Sequence, residues 1–313
     1  MKPLSHNSLK GNWATLLLAT NDKEEIDYKA LEDEIDYLIS SSPNGIYSNG
    51  TAGEFYTQTE DEFIKVNELL AAKCEQSGTP YQIGVSHTSP QISLERLKLV
   101  KHLRPGAVQV ILPDWFPVTI DEAVDFMLRI EDVAEGIPLV LYNPPHAKKI
   151  LKPSEWMCIK EKATSLIGVK VFDNNRDNNW YKEVNETVNG ISVFIPGHHL
   201  ATGLLSGMHG SYSNMACLNP VAAQKWYHKI TEKPDEGLEL EKRIILFMEK
   251  LIAPFITRDK YPNQACDRFM ALVGGWANVG SKMRWPYRSI PVEYIEKTRT
   301  EAKEIIPEFF ITY

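Results

Sequence analysis

Apolar, β-branched runs recur along the chain: WATLLLA, GIYSNG, YQIGVSH, AVQVILP, PLVLYN, LIGVKVF, ISVFIPG and GSYSN. Each reads as a buried strand, and helical patterns lie between them. Tyr28, Leu31, Ile35 and Leu38 share one helical face, as do Phe63, Val66, Leu70 and Cys74. Thr59 with Glu62, and Thr119 with Glu122, have the spacing of capping boxes, and Ser89 before Pro90 is a cap followed by a first-turn proline. Gly78, Gly106 and Gly136 are expected to stop their helices.

Strict alternation of strand and helix implies a parallel sheet, because parallel neighbours need crossover connections and helices usually supply them. Eight such units predict an α/β fold, an eight-stranded parallel β/α (TIM) barrel. The alternative, a doubly wound open sheet, would carry a glycine-rich fingerprint after its first strand, and LLLATNDKEE has none. After GSYSN only helical patterns follow, including LELEKRIILFMEKLIAPF, NQACDRFMALVG and PVEYIEKTRTEAKEII. A catalytic barrel over 1–230 with a C-terminal helical extension over 231–313 is therefore expected.

Composition narrows the function classes. In 313 residues, 43% are hydrophobic and 24% charged, ordinary for a globular chain with a large core. The net charge of -7 argues against nucleic acid as a partner. ATLLLAT is too short to span a bilayer and no small-residue cleavage site follows a basic region, so neither a leader nor a membrane partner is expected. Cys74, Cys158, Cys217 and Cys266 lack CxxC spacing, which suggests neither a zinc site nor a disulfide framework and fits a cytoplasmic location.

In such a barrel the chemistry gathers at the carboxyl ends of the strands. Lys170 alternates with Gly168 and Phe172 on the inward face of its strand, and Gly168 beneath it is expected to leave room for a long side chain. Two readings stand: an ammonium paired with a buried carboxylate, or a desolvated free amine able to attack a carbonyl carbon. Tyr142 ends the preceding strand in LVLYNPP, either as a proton relay beside Lys170 or as a cover for the barrel end. Asn143, Pro144 and Pro145 force an extended exit that would fix it. In NGTAGE, residues 49–54, Gly50 and Gly53 allow a tight turn whose N–H groups can hold a carboxylate, with Thr51 adding a hydroxyl.

GTAGE, YNPP, GVK and GMHGSYSN, in this order, resemble the motifs of the dihydrodipicolinate synthase and N-acetylneuraminate lyase family of Schiff-base aldolases. The resemblance covers the whole chain. It implies a lysine imine with pyruvate or a related 2-oxo acid, addition to or release from an aldehyde, no cofactor beyond that imine, and a homo-oligomer, tetramer or dimer. Lys170 would be the nucleophile and Tyr142 the proton relay. Gly50, Thr51 and Ala52 would hold the substrate carboxylate, with Tyr212 near the substrate.

The departures from the family pattern matter. Ala52 and Trp115 stand where the synthases place relay hydroxyls, and Ala147 stands where they place an arginine for the aldehyde's carboxylate. Lys148 or Lys149 is the available substitute, without arginine's bidentate fork. Trp115 and Phe116 suggest a bulkier, more apolar acceptor pocket. Three readings follow: an active lyase with another aldehyde, dihydrodipicolinate synthase itself, or a non-catalytic relative that binds a 2-oxo acid. Elsewhere, His198 and His199 are expected to be a solvated or helix-capping pair, and no metal is expected there or with His209. Trp180, Tyr181, Trp226 and Tyr227 are expected to pack, and DYKALEDEID to be a solvated helix face.

Overall fold

The computed structural model describes residues 1–311. Its strands are β1 (Gly11–Thr15), β2 (Gly45–Ser48), β3 (Tyr81–Gly84), β4 (Ala107–Ile111), β5 (Leu139–Asn143), β6 (Leu166–Val171), β7 (Ser192–Pro196) and β8 (Gly210–Ser213). All are parallel, each pairs with the next, and β8 closes on β1 with Trp13 opposite Tyr212. The outer helices are α1 (Tyr28–Ser40), α2 (Glu60–Ser77), α3 (Pro90–Val100), α4 (Ile120–Ala134), α5 (Pro153–Lys162), α6 (Asn178–Thr187) and α7 (Leu200–Leu205). The C-terminal helices follow: α8 (Asn214–Leu218), α9 (Pro220–Glu232), α10 (Pro234–Phe247), α11 (Ala253–Thr257), α12 (Asn263–Gly274) and α13 (Tyr294–Ile305).

The period-two alternation of the strands sorts side chains into two layers. Ile46, Ile83, Val108, Leu141, Val169 and Val193 face outward into the shared core with the helices. Trp13, Tyr47, Ala107, Val140, Phe194 and Tyr212 fill the interior. Both capping boxes form, and Gly78 closes α2 in the left-handed region at φ 73°. Ser89 caps α3 by position, without a side-chain hydrogen bond.

Three local expectations are corrected. Gly106 stops no helix, since α3 passes into a short 3-10 turn closed by Arg104; a Cβ at Gly106 would instead meet Leu4 at 3.0 Å. Glu135 takes the left-handed cap of α4, one residue before Gly136. Gly168 makes room for Leu9 rather than for Lys170, since a Cβ there would lie 2.6 Å from Leu9 Cδ2. That contact belongs to the N-terminal segment, which seals the amino end of the barrel: Leu4 N–H donates to the Gly106 carbonyl at 2.9 Å, and Ser192 Oγ donates to the His6 carbonyl at 2.6 Å.

At the opposite end, α12 is tied to the barrel mouth. Buried Arg268 donates to Glu54 Oε1 at 2.5 Å, to the Leu18 carbonyl at 2.6 Å and to Thr20 Oγ1 at 3.1 Å. Ala271, one turn on, packs with Leu17, Ala52, Cys217 and Val279. The acidic run of α1 is also not wholly solvated. Glu34 is buried, its Oε1 accepts the Leu17 N–H at 2.7 Å, and burial pushes its carboxyl up to about 8.

Candidate active site

Lys170 lies one residue before the end of β6, and its strand parity turns the side chain into the barrel. It keeps partial exposure, through the open mouth. Three phenol rings surround Nζ, with centroids at 4.1 Å for Tyr142, 4.8 Å for Tyr47 and 5.3 Å for Tyr212. Nζ donates to Tyr47 Oη at 2.9 Å, and among the described residues it forms no salt bridge with a carboxylate. Burial pulls the amine down to about 8, against the opposing pull of Asp267 and Cys217. At pH 7 about a tenth of it is therefore unprotonated, against well under a thousandth for an unperturbed lysine. Of the two readings left open by the sequence, this geometry favours the free amine.

Tyr142 is the direct cross-strand partner of Lys170 in the β5–β6 ladder. Its hydroxyl is 3.2 Å from Thr51 Oγ1, and burial raises it to about 12. Asn143 fixes the exit that follows: its amide donates to the Lys149 carbonyl, and its carbonyl oxygen accepts the Leu151 N–H, both at 2.8 Å. The turn after β2 therefore meets the end of β5 through a Thr51–Tyr142 contact, close to the amine. Among the described residues, the N–H groups of Thr51 and Ala52 donate to no protein acceptor in the turn. Gly50 also has a packing role, because a Cβ there would fall 2.4 Å from Tyr47 Cε2.

The remaining expected site residues divide. Ala52 is buried in the apolar contact with α12. Tyr212 reaches the site by its ring face only, since its hydroxyl donates to Gln82 Oε1 at 2.8 Å in the barrel floor. Trp115 is 78% exposed and Phe116 74%, and neither lines the cleft beside Thr51 and Tyr142. That cleft is lined by Thr51, Phe55, Leu112, Asp114, Tyr142 and His146, with Ala147 beside His146. Lys148 Nζ donates to the Trp115 carbonyl at 2.6 Å, and Lys149 Nζ lies 2.6 Å from Glu155. Neither lysine takes the place of the missing arginine.

Two residues of the site were not anticipated from sequence. Tyr47 alternates with Gly45 on the inward face of β2, so strand parity was its available signal. Asp267 comes from α12, in a stretch that reads simply as helix; burial pushes its carboxyl up to about 7 while Lys170 pulls it down.

His199 holds the N-cap position of α7 without a side-chain cap hydrogen bond, and both histidines are tied to protein partners rather than to solvent alone. His199 Nδ1 lies 2.9 Å from Asp173 Oδ1, and Tyr181 Oη donates to Asp173 Oδ2 at 2.6 Å. His198 Nδ1 pairs with the Asn214 amide at 3.0 Å, and burial, with His199 alongside, pushes His198 down to about 3. Buried polar groups need such partners, and these five side chains supply them for one another. Among the described residues no cluster of His, Cys, Asp or Glu has the arrangement to hold a metal ion. Trp180 and Trp226 pack as expected, while Tyr181 also uses its hydroxyl in this network.

The sequence profile of the dihydrodipicolinate synthetase family matches residues 8–304. The chain belongs to that family. Among curated relatives, the 4-hydroxy-tetrahydrodipicolinate synthase of Staphylococcus carnosus is 30% identical over 155 residues, 49% of this chain and 51% of the relative. The N-acetylneuraminate lyase of Citrobacter koseri is 27% identical over 137 residues, 44% of this chain and 46% of the relative. The chain thus matches about half the length of these relatives. Among solved structures, a prophage protein of the dihydrodipicolinic acid synthase family from E. coli K12, in complex with pyruvate, superposes with a TM-score of 0.83 at 16% identity, covering 95% of this chain and 98% of that one. The Ruminococcus gnavus sialic acid aldolase superposes with a TM-score of 0.81 at 17% identity, covering 96% and 98%. At these identities the superpositions establish the family's barrel fold. Among the described residues no helix is long and apolar enough to cross a membrane.

Proposed function

We propose that this chain is a Schiff-base lyase or aldolase that condenses Lys170 with pyruvate or a related 2-oxo acid and makes or breaks a carbon–carbon bond to an aldehyde. The carrying observation is the Lys170 amine, without a salt bridge to a carboxylate among the described residues, lowered to about 8 by burial and surrounded by three phenols. The free amine bonds to C2 of the 2-oxo acid, and the ketone oxygen leaves as water. The open N–H groups of Thr51 and Ala52 receive the substrate carboxylate. Loss of a proton from C3 of the imine gives the enamine that attacks the aldehyde, with the Tyr142 hydroxyl, held by Thr51, carrying the proton to the new alkoxide. Retention of Lys170 with Tyr142 beside it favours an enzyme over a passive 2-oxo-acid binder.

The aldehyde end of the cleft supports an apolar or neutral acceptor. Phe55, Leu112 and Ala147 line it beside Asp114 and His146, which offer polar contacts but no fixed cation, and both neighbouring lysines are engaged elsewhere. Aspartate semialdehyde would find no guanidinium for its carboxylate there. The family resemblance supports a homo-oligomer, and four free cysteines fit a reducing cytoplasm. Borohydride treatment with pyruvate should raise the mass by one reduced pyruvyl group, and only with Lys170 present. A panel of aldehydes should then favour neutral, apolar members. Failure of every 2-oxo acid to label the chain refutes the reading, and preference for aspartate semialdehyde refutes the acceptor assignment.

A further inference from the structure

Of the polar groups around the amine, one lies outside every motif singled out in the sequence. Tyr47 Oη is 2.9 Å from Lys170 Nζ and is the hydroxyl hydrogen-bonded to it among the described residues. Tyr142, though closer by its ring, spends its hydroxyl on Thr51, and Tyr212 spends its own on Gln82. The phenol of Tyr47 is held with care for its position. Its ring packs against Tyr212 with centroids 4.6 Å apart, and Gly50 is bare where any Cβ would strike Tyr47 Cε2 at 2.4 Å and Oη at 2.8 Å. Thr15, opposite Tyr47 in the β1–β2 ladder, is the neighbour whose hydroxyl favours negative charge on the phenol oxygen. The turn itself offers little beyond Thr51, because the next residue is Ala52 and Trp115 stands in solvent.

We propose that Tyr47 is a catalytic residue of the imine-forming step, its hydroxyl serving as the proton carrier of Lys170 from inside the barrel. The inference rests on the reading of Lys170 as the nucleophile. As Nζ bonds to C2, the ketone becomes a carbinolamine; both amine protons then leave with the ketone oxygen as one water, and the C=N bond closes. Tyr47 accepts a proton from Nζ as it gives up its own toward the departing oxygen, so it ends the step as the same neutral phenol. Burial keeps it from ionising alone, which suits a carrier that exchanges protons in concert rather than a resting base. Tyr142, Tyr212, Asp267 and Cys217 are the other titratable groups that act on the amine or its phenol partner.

The test is the rate of reductive trapping with pyruvate and cyanoborohydride as a function of pH, in the wild type and in Tyr47→Phe. The variant keeps the ring and its packing while deleting the hydroxyl. Trapping is expected to slow about a hundredfold or more, the usual share of a positioned acid–base group. Its pH midpoint should also fall, because the lost oxygen accepts a hydrogen bond from the charged amine. Wild-type labelling with an unchanged rate and midpoint in a folded Tyr47→Phe overturns the assignment and leaves Lys170 intact as nucleophile. Absence of labelling in the wild type overturns the nucleophile reading and this one with it. Should Tyr47→Phe fail to fold, difluorotyrosine at position 47 keeps the shape and changes only the acidity; a trapping profile identical to the wild type then refutes the proposal.

Discussion

Replacing Lys170 by Met should stabilise the fold while abolishing labelling. The wild-type amine sits at about 8 in the folded chain against 10.5 when unperturbed. Between those values the unfolded chain binds more protons than the folded one, so stability rises with pH across that window. Below about pH 7 the full cost of holding this amine applies, about 3 kcal/mol at 1.36 kcal/mol per pKa unit. It shrinks to about 2 kcal/mol at pH 9 and to about 0.4 kcal/mol at pH 10.5. Lys170→Met keeps the length of the side chain and removes the ionisable group, so its gain over wild type should follow the same curve. With an unfolding entropy of about 2.1 cal/mol/K per residue, a gain of this size raises Tm near pH 7 by about 5 °C. Urea titrations with unchanged m-values, at pH 6.5, 9 and 10.5, are the assay. A variant no more stable than wild type at pH 6.5, or an advantage that persists undiminished at pH 10.5, would show that the amine is not desolvated and would remove the physical basis of its nucleophilicity.

Tyr142→Phe should lose about a hundredfold or more in carbon–carbon bond turnover while still being labelled by pyruvate and borohydride, and loss of labelling with it would contradict the split of roles between Tyr142 and Tyr47. Arg268→Leu leaves buried Glu54 without its cation and should cost about 3–5 kcal/mol in urea unfolding, with Glu54→Gln in the same chain recovering part; a loss below about 1 kcal/mol would mean that the pair is not desolvated. Gly50→Ala forces a methyl into Tyr47 and should cost about 1–3 kcal/mol while slowing trapping, and wild-type behaviour would show that the phenol has room to move.

The barrel was legible because period-two runs and helical periodicities alternate without interruption, and because Lys170 and Tyr142 inherit their inward direction from strand parity alone. Tyr47 was equally accessible to that argument, but its run, GIYSNG, offers no charge to draw notice. Asp267 was not accessible: it lies nearly a hundred residues beyond Lys170, on a helix whose packing decides where its face points. The same limit explains Gly106 and Gly168, whose bare Cα atoms answer to Leu4 and Leu9 across the barrel rather than to their own elements. Glu34 looked like part of a solvated acidic stripe, yet helix rotation brings it to the Leu17 N–H. His198 and His199 differ from expectation for a related reason: Asp173 from the loop after β6 with Tyr181 of α6, and Asn214 of α8, satisfy them.

Arg268 binds the turn that carries Thr51, so the last third of the chain and the loop after the second strand form one mechanical part. Recombination between this chain and its relatives should therefore respect that joint: a chimera that takes its tail from one parent and its second loop from another inherits mismatched halves of an ion pair beneath the turn that carries Thr51. Crossovers that move both pieces together preserve the pocket, whatever the origin of the strands between.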